Sequence, residues 1–286
     1  MTHYSHPHDI LKIVAAHNGD IALVIVTDIS GGTLRARGAL MAVTPDADFG
    51  YISAGCVDGD IIFQARAALV DGAARELVYG EGSPFKDITL PCGGTIKLRI
   101  IPGPDRDVIK AAVADLDARQ STVLKISDLV QTYKPKLRLR IVGRGAPFAA
   151  LARLAGASGF EIYGQSPDAD MWQDYFTGFD HLTDPASPPP LIDDVWTAAV
   201  FLFHDHDWEP ALLSQALSGD AFYIGAMGSD QTHRARLESL RAMGAKNIGR
   251  IKGPIGLLPA MRDAGLLAVS ILAEIIDAAQ TQELLP

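Results

Sequence analysis

Leu137-Arg138-Leu139-Arg140-Ile141-Val142-Gly143-Arg144-Gly145-Ala146-Pro147-Phe148 reads as a strand, a glycine-rich turn and the opening of a helix. Downstream the same order repeats. Phe160–Gly164, Ala198–Phe203, Ala221–Ile224 and Ile248–Ile251 are short apolar strands. Phe148–Leu154, Pro210–Leu217 and Arg234–Met243 have helical spacing, and Ala264–Ala279 reads as a closing helix. Strands alternating with helices imply βαβ crossovers and a parallel sheet. Residues 165–195, with Pro188-Pro189-Pro190, read mostly as loop.

Upstream of Lys134-Pro135 the pattern changes. Ile21–Thr27, Arg37–Thr44, Phe49–Ile52 and Thr95–Ile101 read as strands, with turns at Gly31-Gly32 and Asp46–Asp48. One helix follows Gly55-Cys56, with Ile61, Ile62, Ala65, Ala68 and Leu69 on one side. A second starts at Asp107 as cap, and Thr122–Ile126 returns as a strand. The expected fold class is α/β: a small mixed α+β domain over 1–133, then a Rossmann-like parallel-sheet domain over 134–286.

A chain of 286 residues buries roughly 75% of its unfolded surface and needs no staple. With 25 Lys+Arg against 34 Asp+Glu, a net charge of −9 and a pI near 5.3, general binding to nucleic acid or anionic membrane is not expected. The longest apolar run, Ile21–Val26, is far short of the ~18 residues of a membrane span. Met1–His8 lacks the pattern of a signal peptide, and His3, His6 and His8 read as a frayed terminus rather than a metal site. Two cysteines suit a reducing cytoplasm.

Five segments hold candidate chemistry. In Ser53-Ala54-Gly55-Cys56 a thiol stands at a helix start, where unpaired N–H groups and the dipole favour thiolate. In Leu90-Pro91-Cys92-Gly93-Gly94 the glycines let backbone approach a ligand. Cys56 and Cys92 together are soft ligands for a metal or anchors for a sulfur-containing cofactor; taken singly, each also reads as a small buried hydrophobe beside a turn. Gly143-Arg144-Gly145 has the context of a dinucleotide turn. Phe148, however, holds the third-glycine position, Pro147 removes a phosphate-facing N–H, and Gln165-Ser166 stand where an acid meets ribose. His204-Asp205-His206-Asp207 follows a strand at the edge where open α/β sheets bind ligands. Asp207 reads as a helix cap, and the two histidines stay open between metal ligation and structure. Gly225-Ala226-Met227-Gly228-Ser229, followed by His233, Arg234 and Arg236, reads equally as a phosphate turn or a capped surface helix.

Taken together, these segments resemble the XdhC/CoxI family of accessory proteins to xanthine dehydrogenase and related molybdenum hydroxylases. The resemblance rests on Gly38–Val43, Ile52–Asp58, Leu90–Gly94, His204–Asp207, Tyr223–Ser229, Pro254-Ile255-Gly256-Leu257 and Ser270–Ile275, in this order. It implies a mixed N-terminal domain joined to a Rossmann-like one, often as a homodimer. It also implies a chaperone that binds molybdenum cofactor (molybdopterin) and delivers it, after sulfuration by a partner enzyme, to the apo-hydroxylase. The family's His after the first glycines and its acid ending the second strand are absent: Ala146-Pro147-Phe148 and Ser166 stand there. After Pro-Ile-Gly-Leu the family's helix start is replaced by Leu258–Asp263.

On this reading Cys56 and Cys92 hold the molybdenum end, and Ser53, Gly55, Gly93 and Gly94 supply backbone contacts. The helix starts at Gly145, Gly228 and Ser229 take phosphates. Two other readings stand beside it: an oxidoreductase using NAD(P) or FAD with His204 or His206 as acid/base, and a metal-dependent hydrolase using His204, Asp205 and His206.

Overall fold

The structure is a computed structural model that describes residues 6–32, 35–53, 55–83, 90, 93–168, 176–203, 207–258 and 261–285. Cys92, His204, Asp205 and His206 lie outside these. The chain divides into two compact units, 1–135 and 136–285.

The first unit opens with helix α1 (Pro7–Ala16), where a frayed terminus was expected. His6 caps it, its Nδ1 accepting from the His8 N–H at 3.2 Å, and Pro7 pre-sets the first turn. Ile10, Leu11 and Val14 bury one face, and that spacing outweighs the polar histidines in front of it. There follow β1 (Ala22–Ser30), β2 (Leu40–Val43), β3 (Asp48–Gly50), α2 (Asp58–Asp71), β4 (Arg75–Tyr79), β5 (Thr95–Pro102), α3 (Arg106–Asp117), β6 (Thr122–Ile126) and β7 (Leu129–Tyr133). The sheet is antiparallel in the order β3-β2-β1-β5-β4.

Its central strand β1 is apolar on both sides because both sides are covered. Val24 and Val26 join Ile61, Ala65 and Ala68 of α2 in one cluster, while Leu23 and Ile25 join Ile10 of α1 and Ile109 and Leu116 of α3 in another. The strand β4 escaped the sequence reading because it is a short edge strand, Arg-Glu-Leu-Val-Tyr, with only Leu77 and Tyr79 buried. The cap of α3 is Asp105, not Asp107. Its carboxylate accepts from the Asp107 and Val108 N–H groups at 2.9 and 3.3 Å, because a cap must precede the donors that it satisfies.

The second unit runs β8 (Arg138–Gly143), α4 (Gly145–Ala157), β9 (Glu161–Ser166), β10 (Gly178–His181), β11 (Thr197–Leu202), α5 (Glu209–Ser218), β12 (Tyr223–Ala226), α6 (Asp230–Ala242), β13 (Ile251–Lys252) and α7 (Ala264–Thr281). All neighbours in its sheet are parallel, in the order β10-β9-β8-β11-β12-β13. Renumbered within the unit this is 3-2-1-4-5-6, the Rossmann order, whose switch point lies between β8 and β11. The strand β11 alternates between two cores. Ala198, Val200 and Leu202 pack with α4 and α7; Ala199 and Phe201 pack with α5 and the opposite layer.

Three sequence expectations change here. The region read as loop contains β10, whose Gly-Phe-Asp-His lacks an apolar run because it is an edge strand paired only with β9. Trp208, not Asp207, is the N-cap of α5, with no side-chain cap bond and Pro210 in the first turn. Residues 248–250 form a 3-10 turn, leaving Ile251-Lys252 as strand. The helix α7 is by length and composition apolar enough to cross a bilayer. Its Ala268, Ile271, Leu272 and Ile275 instead lie in the core beneath α4.

Candidate functional site

In the first unit, β3 ends at Gly50 and the chain crosses to the start of α2 through the Ser53–Cys56 loop. One side chain shapes that loop. The carboxylate of Asp58, first residue of α2, accepts four hydrogen bonds: from the N–H groups of Ile52 (2.8 Å), Ser53 (2.9 Å) and Gly55 (2.9 Å), and from the Ser53 hydroxyl (2.9 Å). The Ser53 Oγ in turn accepts from Val57 N–H at 3.0 Å. Ser53 is buried and Cys56 is exposed. The N–H groups of Ser53 and Gly55, offered to a ligand on the sequence reading, are here engaged by Asp58. Their part is to shape the loop that presents the thiol.

The second cysteine segment enters β5 at the same end of the sheet. Gly32 bridges to Gly93, and Ser30 pairs with Thr95, where β1 ends and β5 begins. The strand β4 finishes alongside at Tyr79, paired with Ile96. Gly80 (φ +101°) has no room for a Cβ, which would run into the Gly94 carbonyl. The Tyr79 hydroxyl donates to Asp60 Oδ2 at 2.6 Å, tying the first turn of α2 to this end of the sheet. Val57, directly after Cys56, and Leu90, two residues before Cys92, are buried in the same apolar cluster. The sequence motifs are thus brought to one end of one sheet, and Cys92 itself lies outside the described residues. Among the described residues no three His, Cys, Asp or Glu side chains gather as a metal site.

In the second unit the turns follow the sheet's carboxyl edge. Gly143 (φ +153°) ends β8 at the switch point, where a Cβ would stand 2.5 Å from the Leu202 carbonyl oxygen of β11. Gly145 opens α4 behind Arg144, whose Nε is buried without a hydrogen bond among the described residues. Phe148 is fully buried, its ring 5.4 Å from that of Phe176, so the third-glycine position is filled by core.

The end of β9 turns inward. Gln165 accepts from Arg140 Nη1 at 2.8 Å and donates to Asp180 at 3.0 Å, while the buried Ser166 Oγ accepts from Asp168 N–H at 3.1 Å. Arg140, fully buried, also forms a bidentate pair with Asp193 at 2.8 and 2.5 Å. The position where a dinucleotide fold places its ribose acid is therefore part of a buried polar network. His204 and His206, next in sequence after β11 and Phe203, lie outside the described residues. Gly225 lies inside β12 beneath Ile255 and Tyr223. Gly228 precedes Ser229, which caps α6 by accepting from Thr232 N–H at 3.1 Å.

Sequence reasoning missed Asp58 as an acceptor and Asp60, Tyr79, Arg140 and Glu209 altogether. The charge at Arg140, between Leu139 and Ile141 in a strand of a parallel sheet, was the local signal of a buried partner.

Residues 139–275 match the XdhC Rossmann domain, and residues 14–80 match the XdhC and CoxI family. The chain is 33% identical to the molybdenum cofactor insertion chaperone PaoD of Escherichia coli (strain K12), over 91% of this chain and 84% of that protein. A crystal structure described as a xanthine dehydrogenase from Bacillus halodurans superposes with a TM-score of 0.81. It covers 96% of both chains at 19% identity, a likeness of fold.

Proposed function

The chain belongs to the XdhC and CoxI family, and from that premise we propose that it carries molybdenum cofactor to an apo-hydroxylase. The cofactor is cargo, not a resident group. The observation that carries the reading is the exposed Cys56 thiol on a loop held by Asp58, at the sheet end where Gly93 and Gly94 enter. A molybdenum centre accepts soft thiolate ligands. A carrier needs such a ligand to be reachable, and it needs the surrounding backbone already ordered so that binding costs little. The Asp58 bonds supply that order and leave the thiol outside. Cys92, next to Gly93, is the second thiol of the reading. Sulfuration of the cargo by a partner enzyme, a xanthine dehydrogenase or related hydroxylase as recipient, a homodimer and a cytoplasmic location complete the proposal.

The test is molybdenum content. The full chain, co-expressed with an apo-hydroxylase and purified, should carry molybdenum that Cys56→Ala loses while the variant stays folded. Molybdenum retained at the wild-type level in Cys56→Ala removes the thiol from the mechanism.

A further inference from the structure

The last helix, α7, is apolar on the side away from the core, and no part of the carrier reading uses that side. Between Ala264 and Ile276 its sequence has one charged residue, Glu274. That carboxylate is turned back onto the protein, accepting from the Tyr223 hydroxyl at 2.8 Å and the Gly256 N–H at 2.6 Å. Ala268, Ile271, Leu272, Ile275 and Ala279 are buried, which accounts for one side of the helix. On the other, Leu266, Val269 and Ile276 are 59%, 53% and 37% exposed, with Ala273 between them. A surface helix ordinarily turns charged and polar residues to that side.

The patch is wider than the helix. Leu257 and Leu258, each more than half exposed, belong to a segment fastened along α7. Their N–H groups donate to the Ser270 carbonyl at 3.1 Å and to the Ser270 Oγ at 2.7 Å. Together these side chains make an apolar surface on the order of a few hundred Å², the size that marks an interaction face. Exposed polar groups stand at its ends: Arg262 and Asp263 before the helix, Asp277 and Gln280 in its last turns. A helix without Lys or Arg, in a chain of net charge −9, does not suit a bilayer surface.

We propose that α7 is the face through which two copies of this chain pair, helix against helix and antiparallel, about a two-fold axis level with Ile271. A two-fold interface must complement itself. The stripe does: its steps of three, four and three residues, from Leu266 through Val269 and Ala273 to Ile276, read alike in both directions. Leu266 then meets the partner's Ile276, and Val269 meets the partner's Ala273, a larger side chain against a small one. The charges fit the same register. Arg262 falls at the partner's last turns, near the partner's Asp277 and the negative end of the helix dipole, whereas a parallel pairing would set the two Arg262 side chains together. For the number of copies the inference rests on the carrier reading, which includes a homodimer; the surface and its register come from α7.

Analytical ultracentrifugation of the full chain, over a range of concentrations, tests this. The wild type should sediment at twice the 30.5 kDa of one chain. Val269→Asp and Ile276→Asp are exposed changes that leave the core alone. Each should weaken self-association at least tenfold with an unchanged circular dichroism spectrum. Arg262→Glu should weaken it about two- to fivefold, and adding Asp277→Arg to that variant should restore it. A double variant that does not recover overturns the antiparallel register. A monomeric wild type overturns the proposal, including one that floats with phosphatidylcholine vesicles through the same residues. A dimer that neither aspartate variant weakens is built on another surface and overturns it too. Molybdenum content is read on the same samples. Molybdenum on a monomeric wild type sinks this inference alone, and a dimer without molybdenum sinks the carrier reading alone.

Discussion

Tyr79 and Asp60, 19 residues apart in the chain, meet at 2.6 Å and join the last residue of an edge strand to the first turn of the helix behind Cys56. Burial, and then the neighbouring Asp60, push the Tyr79 phenol well above its ordinary range, so it stays a proton donor at any working pH. Tyr79→Phe keeps the ring in the core and deletes the bond to Asp60. It should cost about 1.5–3 kcal/mol in urea unfolding, the range for a hydrogen bond to a charged group. An unchanged midpoint would show that the bond is replaced by water.

Asp58 organises the cysteine loop through four accepted bonds, so its loss should loosen that loop more than it loosens the fold. Asp58→Asn keeps the shape but converts one acceptor oxygen into a donor facing N–H groups. We expect a loss on the order of 2 kcal/mol, together with a change in the rate at which a small alkylating reagent modifies Cys56. A rate equal to that of the wild type would mean that the loop keeps its shape without the carboxylate.

Arg140 and Asp193 form a fully enclosed pair, 0% and 3% exposed, with Gln165 on the remaining guanidinium edge. Removing one partner of such a pair strands the other in a medium that solvates it poorly. Asp193→Ala should therefore destabilise the second unit by about 3–5 kcal/mol. Replacing Arg140 and Asp193 together by apolar residues of similar volume should cost far less. Equal losses in the single and double variants would contradict the argument.

His233 supplies a pH dependence. Burial, with the charge of Arg236 next, lowers its pKa below the ordinary 6.5. The unfolded chain then binds a proton near pH 6.5 that the folded chain refuses until lower pH. Stability contributed by this group is full above 6.5 and is lost as the pH falls below it. The unfolding midpoint should drop more steeply between pH 8 and pH 5.5 in the wild type than in His233→Asn. Parallel curves would show that His233 titrates alike in both states.

Much of the architecture was legible because it follows from local periodicity. Leu137–Phe148 announces strand, turn and helix, and the repeats after it imply a parallel sheet. The elements that went unread are those whose burial is one-sided or slight: β4 and β10 at sheet edges, and α1 behind a polar, histidine-rich start. The candidate site was legible as positions more than as roles. Ser53 and Gly55 were marked for a ligand, and the fold turns their N–H groups onto Asp58. Gly228 and Ser229 read equally as a phosphate turn or a helix cap, and in the fold Ser229 caps α6 while Arg236 donates to the Met227 carbonyl just before them.

Pattern along the chain was enough to say that apolar residues at period two and at helical spacing must pack as two different sheets with helices against them, since burying them is the main gain on folding. Which polar atoms meet was decided only in three dimensions. Tyr79 finds Asp60, Arg140 finds Asp193 and Arg236 finds Glu209 across 19, 53 and 27 residues. A hydrogen bond depends on distance and direction at the scale of tenths of an ångström, which side-chain spacing in a linear sequence does not specify.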